Sequence, residues 1–266
     1  MAQKAQEKGV TGPAPVVDEP SKVRNVVLVG HSGAGKTTLV EALLAITGTI
    51  SRAGSVVDGT TVSDHDPAAV RQQRSVSLSC APVTHDGIKI NLLDTPGYAD
   101  FVGELRAGLR GADAALFVVS AVDGVDAATA ALWEEVAAVG MPRAVAISRL
   151  DHPRANFEET VAQCKQAFGD NVMPLYLPML SDDGETVVGL MGLITQRVFD
   201  YSNGYPPEVR EPDSEHLPAI TDARNELIEG IIAESEDESL MERYLGGEDI
   251  EVSTLIEDLE KAVARG

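Results

Sequence analysis

The stretch Gly30-His31-Ser32-Gly33-Ala34-Gly35-Lys36-Thr37-Thr38 decides how this chain is read. It fits the pattern G-x-x-x-x-G-K-[ST]. Before it stands an apolar run, Val26-Val27-Leu28-Val29, and after it Leu39, Leu43 and Leu44 fall on one helical face. A strand passing through a Gly-rich loop into a helix is the setting in which this pattern cradles phosphate. Gly30, Gly33 and Gly35 let the backbone close around anionic oxygens where a Cβ would obstruct the approach. The freed N–H groups and the helix N-terminus then face the anion. Lys36 reaches the outer phosphates of a nucleotide, and the Thr37 hydroxyl ligates Mg²⁺.

Working outward, Asp94-Thr95-Pro96-Gly97 follows the apolar strand 90–93 and lies 58 residues after Lys36. An Asp at the carboxyl end of a strand beside the phosphate loop is placed to hold Mg²⁺ through water. Gly97 can offer its N–H to a terminal phosphate because no side chain blocks it. Further on, Ser148-Arg149-Leu150-Asp151 ends strand 143–148, and Asp151 lies 57 residues after Asp94. A carboxylate there can accept from the guanine N1–H and its exocyclic amine. Adenine presents no matching donors, so the acceptor would be left unpaired. Ser148 and Arg149 stand where an Asn and a Lys usually precede such an Asp. The Ser148 hydroxyl can still tie the loop to the phosphate loop, and the Arg149 stem can still lie along a base.

The rest of the pattern is alternating strands and helices. Strands are expected over 76–84, 88–93, 114–119 and 143–148, and helices from Lys36 and over 126–139 and 154–168. Asp86-Gly87 signals a hairpin, which makes one strand antiparallel. The fold class is therefore α/β, a mixed and mostly parallel sheet with helices on both faces. Residues 47–75 read as a long polar excursion. Beyond residue 170 a small irregular β segment is expected, followed by two helical stripes, Leu227, Ile228, Ile231, Ile232 and Val252, Leu255, Ile256, Leu259, Val263. Residues 1–22 read as a flexible tail, 23–170 as the nucleotide-binding domain and 171–266 as an acidic α/β subdomain.

Composition bounds the alternatives. No apolar run nears the ~20 residues of a membrane span, and the N-terminus lacks a signal peptide's apolar stretch. Cys80 and Cys164 read as reduced, partly buried thiols of a cytoplasmic protein. The five histidines show no metal-ligand spacing, and Trp133 reads as core. The net charge is −21, of which residues 171–266 carry 22 acidic and 6 basic side chains. Such a surface repels a phosphate backbone, so this part is not expected to bind nucleic acid directly.

The chain resembles the translational GTPases, and most closely the G domain of elongation factor G, over roughly residues 23–266. The resemblance is carried by residues 30–39, by Arg71-Gln72-Gln73-Arg74-Ser75-Val76-Ser77, by Asp94-Thr95-Pro96-Gly97-Tyr98-Ala99-Asp100-Phe101, by Gly140-Met141-Pro142-Arg143 and by Leu240-Met241-Glu242-Arg243-Tyr244-Leu245-Gly246-Gly247. It implies a P-loop GTPase domain with an inserted subdomain, GTP or GDP and Mg²⁺ as ligands, and the ribosome as partner of the whole protein. The insert would face the ribosomal stalk protein. The resemblance also implies that Ser77, where the family has Thr, closes over Mg²⁺ together with Thr37 and Asp94. Tyr98 stands where most of the family has the His that orients the attacking water, so catalysis would rest on Lys36 and Tyr98 and hydrolysis is expected to be slow. In the family a further strand, whose loop touches guanine, and a last helix follow the insert. Neither follows Arg265, which reads as a truncation that lowers nucleotide affinity. Two rivals stand beside this reading: a GTP-dependent switch that hardly hydrolyses, and an ATP-using phosphotransferase, against which Asp151 argues.

Overall fold

The structure, a computed structural model, describes residues 15–182, 184, 186–248 and 250–266, without the side chain of Glu238. Most of the tail expected over 1–22 lies outside the described residues. The chain divides into two compact units, 1–148 and 149–266. The division groups the segment 149–170 with the second unit.

The first unit holds strands β1 (Val23–Val29), β2 (Ser79–His85), β3 (Ile88–Asp94), β4 (Ala114–Ser120) and β5 (Arg143–Ser148) in the order β2-β3-β1-β4-β5. β1 runs parallel to β3 and β4, and β4 parallel to β5; β2 alone is antiparallel, joined to β3 by the hairpin. Asp86 and Gly87 both take positive φ, 48° and 78°. A two-residue turn with both central φ values positive matches the twist of the strands it joins, and Asp-Gly supplies them.

Among the described residues of this unit the α-helices are α1 (Lys36–Ile46), α2 (Pro67–Gln72), α3 (Val102–Gly111) and α4 (Ala127–Ala137). Leu28 and Val118 from the sheet pack with Val40 and Leu44 of α1, all essentially sealed from solvent. Trp133 is buried edge-on against Phe117 with centroids 4.9 Å apart, as core. α4 starts where the Asp126 side chain accepts from Thr129 N–H at 2.7 Å. Both α2 and α3 escaped the sequence reading. α2 is a single capped turn inside the polar excursion, with Asp66 accepting from Ala68 N–H at 2.6 Å and Pro67 as its first residue. α3 buries only Leu105, Gly108 and Leu109, too few positions to draw a stripe.

The second unit opens with α5 (Phe157–Phe168), which begins later than the expected 154 because Asn156 caps it by accepting from Glu159 N–H at 3.0 Å. An antiparallel sheet follows, β6 (Tyr176–Leu180), β7 (Val187–Gly192), β8 (Val198–Asp200) and β9 (Glu208–Arg210), in sequence order. Three helices close the chain rather than two: α6 (Leu217–Glu234), α7 (Glu238–Leu245) and α8 (Val252–Arg265). Among the described side chains of α7 only that of Leu240 is fully buried, so the helix left no periodic signal. Met191, Leu193, Ile220, Leu227, Ile231 and Leu255 lie in one core, separate from that of the first unit. Arg224, buried here, donates to the carbonyls of Leu193 and Ile194 at 2.8 and 2.6 Å. Cys164 is buried in α5, whereas Cys80 is exposed on the edge strand β2, which corrects the expectation for that thiol. Among the described residues no helix is long and apolar enough to cross a membrane.

Candidate functional site

β1 delivers the chain into the phosphate loop. Gly30, at φ 149°, lies so close to β4 that a Cβ would sit 2.3 Å from the Val118 carbonyl oxygen, and Gly33 and Gly35 take φ of 86° and 91°. α1 then starts at Lys36 with Gly35 as its cap, no side chain capping it and no acid in its first turn. A helix end left without a side-chain acceptor is suited to an anion.

The Lys36 ammonium donates to the Gly30 and His31 carbonyls at 2.7 and 3.0 Å. Burial pulls its pKa down to about 8, against the pull of the Asp94, Asp126 and Asp64 carboxylates, so it is still charged at neutral pH. Next along the helix, the Thr37 hydroxyl donates to Asp94 Oδ2 at 2.8 Å and lies 3.1 Å from Ser75 Oγ, which donates to Asp64 Oδ2 at 3.2 Å.

Asp94 stands at the end of β3, in register with Leu28 of β1. Its Oδ1 is buried and makes no hydrogen bond among the described residues; the Ser63 hydroxyl stands nearby, outside good hydrogen-bonding geometry. Burial pushes the carboxyl up to about 6, opposed by the Thr37 hydrogen bond and the Lys36 charge. A buried carboxylate oxygen without a donor, beside hydroxyl and carboxylate oxygens, is a donor set fit for a hard divalent cation such as Mg²⁺.

Thr95 straps this end of the sheet by donating to the Leu28 carbonyl at 2.5 Å, and Pro96 is buried behind it. Gly97 presses on the phosphate loop: a Cβ there would fall 2.4 Å from Ser32 N and 2.7 Å from Lys36 Nζ. Tyr98 is exposed, with the Arg74 guanidinium 4.5 Å from its ring centroid. The adjacent Ser32 side chain, and then Arg74, hold its phenol below the usual pKa.

At the end of β5, the Ser148 hydroxyl donates to the Ala34 carbonyl at 2.6 Å and to the Val119 carbonyl at 3.2 Å. It ties the strand end to the phosphate loop as the sequence suggested. The next three residues open the second unit: Arg149, with φ 59°, and Asp151 are exposed, and Leu150 is half-buried.

His31, Ser32, Ala34, Lys36, Thr37, Asp94, Gly97 and Ser148 thus converge at one end of the parallel strands, while Thr38 faces outward on α1. Ser77 is not part of this cluster: it is exposed, and the hydroxyl beside Thr37 belongs to Ser75, two residues earlier. Sequence reasoning also missed Asp64 and Glu41. Glu41, buried on α1, accepts from Gly54 N–H at 2.8 Å and Val62 N–H at 2.5 Å and so holds the excursion 54–62. These partners are distant in sequence and follow no spacing, so only the fold reveals them.

A phosphate loop at the head of a mostly parallel sheet, facing a strand-end Asp, is the architecture of a P-loop G domain. Residues 21–260 match the family described as Elongation factor Tu GTP binding domain, and the chain belongs to that family of translational GTPases. It is 58% identical over all of its 266 residues to the elongation factor G-like protein of Mycobacterium tuberculosis, in strains CDC 1551 / Oshkosh and ATCC 25618 / H37Rv alike. It spans 36% of the length of each of these relatives. A crystal structure from Thermus thermophilus superposes on 91% of the chain, with a TM-score of 0.83 and 38% identity, and the match covers 36% of that structure.

Proposed function

We propose that this chain is the GTP-binding and GTP-hydrolysing part of an elongation-factor-G-like translation factor, acting with Mg²⁺ in the cytoplasm. The observation that carries the reading is the junction of Lys36, Thr37 and Asp94, with the unpartnered Asp94 Oδ1 at its centre. The N–H groups of the loop 30–35 and of α1 bind the phosphates, and Lys36 exchanges its carbonyl partners for phosphate oxygens. Thr37 and Asp94 would hold the Mg²⁺, with Ser77 added on closure of its segment over bound nucleotide. Bound there, the ion would offset negative charge on the outer phosphates.

In hydrolysis, water adds to the γ-phosphorus while the bond to the bridging oxygen breaks, yielding GDP and phosphate. Lys36 stabilises charge on the departing side, the Gly97 N–H faces the γ-phosphate, and Tyr98 orients the water through its hydroxyl. Asp151 reads the guanine, with Arg149 and Leu150 flanking the base. The resemblance of the chain to elongation factor G supports the ribosome as partner of the whole protein. The acidic balance of residues 171–266 supports a basic protein partner for that part, the stalk protein among the candidates.

A second reading, a GTP-dependent switch with little hydrolysis, is favoured by Tyr98, because a phenol cannot become an imidazolium. Single-turnover GTP hydrolysis by the wild type and by Tyr98→His, with and without ribosomes, tests the catalytic part. Slow wild-type turnover raised by the substitution is expected. An unchanged rate under both conditions would show that Tyr98 does not limit the reaction.

A further inference from the structure

Tyr98 lies open to solvent, yet one face of its ring is covered by the Arg74 guanidinium at 4.5 Å. Arg74 is itself held. Its backbone N–H donates to the Ala69 carbonyl at 3.2 Å and its Nε donates to Gln72 Oε1 at 2.7 Å. It follows directly on Gln73, which ends α2 in the left-handed region at φ 52°. The guanidinium is therefore presented by a capped helix end rather than by a free loop. The Tyr98 phenol is within reach of the Ser32 side chain of the phosphate loop and of Arg74 itself. Its chain neighbour Gly97 is packed against Ser32 N. One side chain thus links three segments: the phosphate loop, the end of α2 and the loop after β3.

We propose that Arg74 is the positioning residue for Tyr98, its guanidinium fixing the plane of the phenol ring so that the hydroxyl stays over Ser32 at the phosphate end of the site. An unstacked ring at this exposure would turn freely about two side-chain bonds into solvent. A planar cation on the ring face restrains both the position and the tilt of the ring. A lysine would keep the charge but not the plane. The inference rests on the GTP site of the preceding subsection for its consequence in catalysis, and on the stack alone for its structural part.

Two measurements on the 266-residue chain test it. In the first, the tyrosine ring carbons are labelled for NMR and the Tyr98 signal is identified by its loss in Tyr98→Phe. Arg74→Gln should shift that signal at neutral pH and move its ionisation upward, towards a free phenol. Arg74→Lys should bring back part of the ionisation behaviour but not the ring-face shift. An unmoved Tyr98 signal in Arg74→Gln overturns the proposal. In the second, single-turnover GTP hydrolysis is compared across Arg74→Gln, Tyr98→Ala and the double variant. Arg74→Gln should slow the wild type about 2- to 5-fold, the size of an exposed cation–π contact, with GTP affinity within about twofold. It should add no loss once Tyr98 is Ala. An undiminished loss in that background overturns the proposal and makes Arg74 a direct contact of the nucleotide. Should the wild type bind no guanine nucleotide, the reading of the site fails, while the NMR signal still decides whether Arg74 positions Tyr98.

Discussion

Lys36 and Asp94 are the two residues whose chemistry the fold changes most. Lys36 is buried as a cation and gives up solvation for two carbonyl partners. Lys36→Met should leave the melting temperature unchanged or raised, because it removes a desolvated charge, while GDP binding weakens about 10- to 100-fold through loss of a charged hydrogen bond. Thermal melting and fluorescent-GDP titration check the two halves, and unchanged affinity would remove Lys36 from the phosphate site. For Asp94 the folded pKa is raised to about 6 from 3.8. The folded state therefore takes up a proton in that window. This stabilises the nucleotide-free fold as pH falls through about 6, and the gain is lost again as pH rises through the same value. Mg²⁺ needs the carboxylate, so the gain in GDP affinity from Mg²⁺ over EDTA should shrink several-fold between pH 7.5 and 5.5. An equal gain at both pH values contradicts a metal role for Asp94.

At the scale of elements, the site depends on loops held by contacts that no local pattern announces. The segment 30–37, the Asp-Gly hairpin and the Ser148 tie were legible because each rests on backbone geometry or strand-end position that a short motif encodes. Ser75 and Asp64 beside Thr37, and Glu41 beneath the excursion, were not, because their contacts join residues 11 to 38 positions apart with no fixed spacing. In this structure the hydroxyl beside Thr37 is that of Ser75, while Ser77 stands exposed. Glu41→Ala should strand two part-buried N–H groups and cost about 1–3 kcal/mol in urea unfolding. A loss below about 0.5 kcal/mol, the range of ordinary surface changes, would mean the loop does not depend on Glu41. Gly97→Ala should force the loop after β3 off the phosphate loop, since the added carbon would lie 2.4 Å from Ser32 N. GTP affinity should fall while the fold, read by circular dichroism, persists; wild-type affinity would show that the loop yields without effect.

Taken whole, the molecule places the proposed phosphate and metal ligands in the unit 1–148 and its second core in the unit 149–266, which begins with the stretch holding Asp151. Ile220, fully buried in the core of 149–266, sits away in sequence from every proposed phosphate ligand. Ile220→Ala should destabilise that unit by about 2–5 kcal/mol and leave GDP affinity within about twofold at low temperature. A proportional fall in both would show that the two units unfold and bind as one. Loops from one end of the parallel sheet are proposed to hold the phosphates, metal and purine of a single guanine nucleotide. This assignment is met most directly by calorimetric titration of the purified chain with GDP and with ADP, each with Mg²⁺. GDP should bind, and ADP at least about a hundredfold more weakly, the discrimination expected when the Asp151 carboxylate finds no N–H donors on the base. Equal binding of the two, or no binding of either, would contradict it.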